Sequence, residues 1–183
     1  MSEVISRVVE LFDSTCVKQF ESMKCDIRSE KIDALYDMEA AICAFISCYS
    51  DDLEINLIIS ASEGFLASTI PLTGGQRLES ESFLKDWCLE LANRFLGRLK
   101  NKLLSHGCTL SMGLPILVVG HDMATRMANA HPAASRAFKN VLPNAEHQIH
   151  CDLFVKELNP DFSLDDYEDE DEDWFDESEL QHL

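Results

Sequence analysis

The chain of 183 residues lacks a surplus of basic side chains. Its 15 Lys and Arg stand against 33 Asp and Glu, which gives a formal net charge of −18. Nucleic acid is therefore not an expected partner, because binding to a phosphate backbone requires clustered basic side chains. The acid is also uneven: residues 161–183 hold 12 Asp and Glu and no Lys or Arg, leaving 21 acids and 15 bases in residues 1–160.

Membrane and export signals are missing as well. No stretch approaches the roughly 20 apolar residues of a membrane-spanning helix. The amphipathic, acidic N-terminus does not have the basic-then-apolar order of a signal peptide. The seven cysteines are odd in number and form no Cys-x-x-Cys pair, so neither a disulfide framework nor a metal site is expected. We expect a cytoplasmic protein without membrane contact.

Several common catalytic motifs do not occur. The sequence contains no glycine-rich phosphate loop and no G-x-S-x-G nucleophile elbow. Of the histidines at 106, 121, 131, 147 and 150, only the last two share a predicted element, and their spacing is not the i,i+2 step that puts two strand residues on one face. This spread favours ordinary surface or strand histidines over a metal site or a general base.

The periodicity of the apolar residues predicts alternating groups of helices and strands. Helices are expected at 3–23, 63–70 and 82–106, and strands at 38–50, 53–61, 108–119, 138–142 and 147–157. Ser62 is the expected N-cap of the short helix, and Gly107 the expected end of the long one. Residues 24–37, as a loop or short strand, and 121–137 stay ambiguous. Antiparallel strands with helices to one side indicate an α+β two-layer domain.

The predicted domain covers residues 1–158, and residues 159–183 form an acidic C-terminal tail. Apolar periodicity stops near Asp161, and Tyr167, Trp174, Phe175 and Leu180 stand among the acids. One interpretation is a solvated, disordered end that aids solubility. The other is an acidic-aromatic peptide that docks on a basic groove, even on the binding face of this same chain.

The long helix carries a distinctive stripe. Asp86, Glu90, Asn93 and Gly97 fall within about 60° of one another on a helical wheel. The opposite, mostly apolar face holds Leu84, Cys88, Leu91, Phe95, Leu99 and Lys102. A glycine inside a helix costs about 1 kcal/mol relative to alanine, but it lets another surface approach the backbone closely. We interpret Asp86, Glu90, Asn93 and Gly97, called the stripe below, as a docking face; an ordinary polar face with an accidental glycine is the alternative.

The segment Asp86-Trp87-Cys88-Leu89-Glu90-Leu91-Ala92-Asn93-Arg94-Phe95-Leu96-Gly97 resembles the D-x-x-x-E-x-x-N-x-x-x-G signature of the CheC/CheX/FliY phosphatases. The resemblance covers about residues 1–157 and is specific around 86–120. The chain has one Glu-x-x-Asn copy, as in the CheX pattern. The resemblance implies a mainly antiparallel sheet with two long helices packed on one face, and a homodimer joined through sheet edges. The acidic tail departs from the family, and residues 121–137 do not align with it.

The resemblance also implies an activity, the hydrolysis of the phospho-aspartate of a CheY-like receiver domain in chemotaxis or motility signalling. By that resemblance Asn93 orients the attacking water, and Glu90 pairs with a lysine of the receiver. Asp86 and Gly97 would support docking. The chain would need no cofactor of its own, since the receiver supplies the Mg²⁺. The alternative is a non-catalytic module of the same fold that binds a receiver or scaffolds a motility component.

Overall fold

The computed structural model describes residues 1–21, 27–31, 41–71, 80–119, 131–142 and 145–166. Its helices are α1 (Glu3–Glu21), α2 (Glu63–Thr69) and α3 (Glu81–Ser105). Its strands are β1 (Ile27–Lys31), β2 (Ala41–Tyr49), β3 (Leu53–Ser62), β4 (Ser111–Met112), β5 (Ile116–Val119), β6 (Ala134–Leu142) and β7 (Ala145–Glu157). Residues 72–79, between the predicted helices 63–70 and 82–106, and most of the ambiguous segment 121–137 lie outside the described residues.

The strands of the described part form one antiparallel sheet in the order β1-β6-β7-β3-β2-β4, with β5 also pairing with β2. The predicted strands at 38–50 and 53–61 pair as the hairpin β2–β3, and those at 138–142 and 147–157 pair as β6–β7. The turn between β2 and β3 is closed by Ser50, whose hydroxyl accepts hydrogen bonds from the backbone N–H groups of Asp52 and Leu53, each at 3.1 Å. The chain pairing thus places the longest strands at the centre of the sheet.

The predicted strand 108–119 is interrupted. Its two parts, β4 and β5, pair with different stretches of β2, and residues 113–115 separate them. The backbone N–H of Gly113 donates to the carbonyl of Ser47 at 2.8 Å, which keeps the interruption against β2. Pro115 has no N–H to give to a ladder, and it lies in the interruption at the sheet edge, as its chemistry requires.

The two long helices, α1 and α3, pack on one face of the sheet, which confirms the α+β two-layer prediction. Alternate residues of β3, from Leu53 to Ala61, point into the core beneath them. The rings of Phe12 and Phe95 join the two helices at a centroid distance of 5.5 Å. An ion pair of 2.7 Å between Arg136 of β6 and Asp13 of α1 ties the first helix to the sheet.

The helix ends form as predicted. The Ser62 and Ser80 hydroxyls accept hydrogen bonds from the third residue of α2 and α3, at 3.2 and 3.3 Å. At the end of α3, Gly107 adopts φ 78°, where side chains are strained. Its N–H bonds to the carbonyl of Leu104, and that of Cys108 bonds to Leu103, as in a Schellman end.

The packed chain extends beyond the predicted domain boundary at residue 158. The carbonyl of Asp52 accepts from the N–H groups of Leu158 and Asn159, and the Asn159 amide donates to the Asp52 carboxylate at 2.7 Å. Phe162 and Leu164 then pack against the core. Residues 159–166 of the predicted tail therefore lie against the domain, while 167–183 lie outside the described residues.

Candidate functional site

The site is built on α3, which buries one side and exposes the other. The buried side is wider than the sequence predicted, because Trp87, Ala92, Leu96 and Leu103 join the expected Leu84, Cys88, Leu91, Phe95 and Leu99. Lys102 was expected on this side despite its charge. Its ammonium group donates to the Ser14 hydroxyl of α1 at 2.6 Å, so the side chain reaches a polar partner between the helices.

The four residues of the stripe lie on the open side of the helix. Asp86 is exposed, and Glu90, Asn93 and Gly97 are half-buried. Among the described residues, a Cβ added to Gly97 would meet no atom of another element within 4 Å. Packing within the domain therefore gives no reason for a glycine here, and the bare backbone is left open to an approaching surface.

The Asn93 amide lies on the stripe and is not bonded to any described residue of the domain. Within the described part of the chain, no hydrogen bond or ion pair involves its side chain. An amide offers two donor hydrogens and an acceptor oxygen without a net charge. Such a group can hold a water molecule beside an anionic phosphoryl group. A carboxylate in the same place would repel the phosphoryl group.

Glu90 forms an ion pair with Arg94, one turn further along the helix. Its carboxylate accepts from Nε of Arg94 at 2.5 Å, and 42% of the Glu90 side chain stays exposed. An i,i+4 pair of this kind on a helix surface is worth only about 0.3–0.5 kcal/mol. A lysine brought in by a partner can therefore take the place of Arg94 at little cost.

Arg94 is itself held by the ring of Trp87, at 5.4 Å from the guanidinium carbon to the ring centre. The indole N–H of Trp87 donates to the Thr69 hydroxyl at 3.0 Å. This chain of contacts connects the stripe to α2. The i,i+4 spacing of Glu90 and Arg94 indicates their ion pair in the sequence. The Trp87–Thr69 contact joins residues 18 positions apart, and no local sequence pattern indicates it.

The thiols in the described part of the chain are buried and do not favour a reactive role. The six cysteines that the structure describes are all free and buried. Burial raises the pKa of Cys48 and that of Cys88 to about 12. Because the thiolate is the nucleophile and metal ligand, these groups are inert near neutral pH. Cys43 and Cys48, five residues apart in the sequence, have their side chains on opposite faces of β2.

The histidines whose side chains the structure describes do not gather into a site. His106 is buried at the end of α3, His131 is exposed, and His150 lies on β7. His121 lies outside the described residues. Throughout the described ranges, no group of three or more His, Cys, Asp or Glu is placed to hold a metal ion. Likewise, none of the described helices is both long and apolar enough to cross a membrane.

Solved structures with the same architecture decide the fold. A CheC-like superfamily protein from Shewanella sp. PV-4 matches with a TM-score of 0.57 and 17% identity, over 80% of this chain and 96% of that one. CheX from Vibrio vulnificus matches with a TM-score of 0.56 and 16% identity, over 80% and 99%. The chain has the CheC/CheX fold. No model of a protein family matches it, and no curated protein does.

A third structure of this fold is a complex. It is the CheX–CheY–BeF₃–Mg²⁺ complex from Borrelia burgdorferi, with a TM-score of 0.55 and 15% identity over 81% of this chain and 97% of that one. At such identities the likeness of the CheC/CheX structures is a likeness of fold. The roles of Glu90, Asn93, Asp86 and Gly97 stay predictions, and the geometry of the stripe is what supports them.

Proposed function

We propose that this protein acts in chemotaxis or motility signalling, as a phosphatase that accelerates hydrolysis of the phospho-aspartate of a CheY-like receiver domain. The observation that carries the proposal is the stripe: an uncommitted amide and a weakly paired carboxylate one turn apart, beside an open glycine, on the long helix of a CheC/CheX fold. That a CheX of this fold forms a complex with CheY adds support.

In the proposed mechanism the receiver brings the phosphoryl group, a lysine and the Mg²⁺, and this chain positions the attacking water and the receiver. Phosphoryl transfer to water leaves little covalent chemistry for a helper, so placing the water in line with the scissile bond is the main contribution. The Asn93 amide orients that water. Glu90 exchanges Arg94 for the receiver's lysine, which fixes the docked geometry. Asp86 supports the dock, and Gly97 allows the two backbones to approach closely.

The test is the decay of a phosphorylated CheY-like receiver with and without this protein. Wild-type chain should accelerate the decay, and Asn93→Ala should abolish the acceleration while receiver binding persists. Asn101→Ala is the matched control, because Asn101 is an exposed asparagine two turns further along the same helix. Equal acceleration by wild type and Asn93→Ala would refute the proposed role of Asn93.

A non-catalytic receiver-binding or scaffold module is the second candidate. The weak Glu90–Arg94 pair and the open Gly97 would serve docking alone equally well. This candidate predicts binding of a receiver with no change in its dephosphorylation rate. Absence of acceleration on every receiver from the same cell, together with binding to one of them, would establish it.

We also propose a cytoplasmic homodimer joined through sheet edges. In the described part, β4 and β5 form an edge whose apolar side chains are open: Leu114 is 88% exposed and Ile116 is 54% exposed. Exposed apolar edges favour pairing with another chain. Sedimentation should give a dimer that Ile116→Lys weakens, and a wild-type monomer at micromolar concentration would refute it. Six free thiols suit a reducing compartment.

A further inference from the structure

The C-terminal half of α3 is rich in basic residues, although the protein is acidic. Residues 91–105 contain Arg94, Arg98, Lys100 and Lys102 and no acid, whereas the whole chain carries a net charge of −18. Burial first, and then the charge of Arg94, lower the pKa of Arg98. An anionic segment placed along this half of the helix would be attracted to its basic side chains.

The same half of α3 also continues the stripe with an apolar side chain. Leu104 lies five turns after Asp86, on the same side of the helix, and is 53% exposed. Gly97 leaves the backbone open between Leu104 and Asn93. A partner that matched this surface would therefore combine negative charge with one or two large apolar groups.

Two hydrogen bonds hold the acidic end of the chain at the C-terminal end of this helix. The N–H of Asp165 donates to the carbonyl of His106 at 3.0 Å, and Nδ1 of His106 lies 2.8 Å from the Asp165 carbonyl. Since a carbonyl only accepts, Nδ1 carries the proton in this bond. A Cβ on Gly107 would collide with the Asp165 carboxylate, so the glycine admits the segment. The chain is thus fixed at the C-terminal end of α3 up to Asp166.

The composition of residues 167–183 matches the surface. They contain nine Asp and Glu, no Lys or Arg, and the aromatic side chains Tyr167, Trp174 and Phe175. From Gly107 back to Asn93 is about 21 Å along the helix axis. Eight residues of extended chain, enough to reach Trp174, span about 27 Å. The segment therefore starts at the right end, has the required length and carries the complementary charge.

We propose that residues 167–183 dock on the C-terminal half of α3 of the same chain, with the acids near Lys100 and Arg98 and the aromatic pair on Leu104 and Gly97. In this position they cover Asn93. The docking itself is independent of the activity proposed above, but its consequence rests on it: the segment competes with the receiver for the stripe, so that receiver binding requires its release.

A photocrosslinking experiment on the full chain tests the docking without any enzymatic readout. With p-benzoylphenylalanine in place of Trp174, irradiation should give crosslinks to residues 94–104, mapped by mass spectrometry. Lys100→Glu should lower their yield about threefold, in the range of a surface charge contact. Lys156→Glu is the matched control, because Lys156 is an exposed lysine on the sheet face away from the helices, and it should leave the yield unchanged.

Two results would overturn the proposal. One is a set of crosslinks that map away from α3 or that respond equally to Lys100→Glu and Lys156→Glu. The other is crosslinks between copies, which a mixture of isotopically labelled and unlabelled chains would reveal as mixed pairs. Replacement of the nine acids by their amides should both remove the crosslinks and speed receiver dephosphorylation at low salt. Crosslinks to α3 in the wild-type chain, together with no receiver dephosphorylation even by the variant with nine amides, would support the docking and count against the phosphatase.

Discussion

The two sides of α3 differ in the contacts that their side chains make within the domain. The buried side is apolar and touches the sheet and α1, with Phe95 against Phe12. The stripe side holds Asn93, which has no partner within the described residues, and Glu90, which is held by a weak pair. Side chains committed to the fold determine stability, and uncommitted ones are available to a partner. Substitutions on the two sides should therefore separate stability from function.

The largest expected effect is on the buried side. Phe95→Ala removes a fully buried ring from the contact between the two long helices and should lower the free energy of unfolding by about 3–5 kcal/mol. Urea denaturation measures it. Leu104→Ala, on the same helix but half-exposed, is the control and should cost less than about 1 kcal/mol. Similar losses of unfolding free energy in both variants would contradict the difference between the two sides of the helix.

The second largest effect is expected from a substitution on the stripe. Asn93→Ala should slow receiver dephosphorylation about 100-fold, because misplacing the attacking water has a cost of that order. Its free energy of unfolding should stay within about 0.5 kcal/mol of wild type, as at other surface positions. Single-turnover decay and urea denaturation on the same preparation measure both quantities. A destabilised Asn93→Ala with full activity would reverse the assignment of the two sides.

Gly97→Ala should move stability and function in opposite directions. Among the described residues, the new Cβ meets no atom of another element within 4 Å, so the helix should gain about 0.5–1 kcal/mol from the better propensity of alanine. The same methyl group holds a docking surface away from the backbone, and receiver affinity should fall. Urea denaturation and titration calorimetry measure the two changes. Tighter receiver binding would show that Gly97 is not a contact point.

The smallest effect tests a carboxylate that is buried rather than exposed. Burial raises the pKa of Asp152, although the Ser135 hydroxyl donates to it at 2.5 Å and opposes the rise. The folded state then holds this proton more tightly than the unfolded state, so stability falls as the pH rises above the ordinary carboxyl value near 3.8. Asp152→Asn should flatten that fall and be slightly more stable at pH 7. A steeper fall in the variant would contradict this account.

Local sequence signals determined much of the fold. The 3.6-residue apolar period placed α3 within one residue of its observed ends, 81–105 against a predicted 82–106, and Ser62 and Gly107 marked helix ends correctly. The break at 113–115 was not predicted, because it depends on how β4 and β5 pair with β2. The packing of Phe162 and Leu164 was missed for the same reason: two apolar residues show no period.

The stripe could be placed from the sequence, but its surroundings could not. Helical spacing alone puts Asp86, Glu90, Asn93 and Gly97 on one side. The support of Arg94 by Trp87, and of Trp87 by Thr69, depends on where α2 lies against α3. That placement is a property of tertiary packing, which no local pattern encodes.

The buried thiols have a practical consequence for watching the stripe at work. Because the described cysteines are inaccessible, a maleimide dye should ignore them in a Cys25→Ser background. A cysteine introduced at exposed Asp86 would then take a single fluorophore next to Glu90. Its emission would report in real time when a surface, whether the chain's own acidic end or a receiver, arrives and leaves.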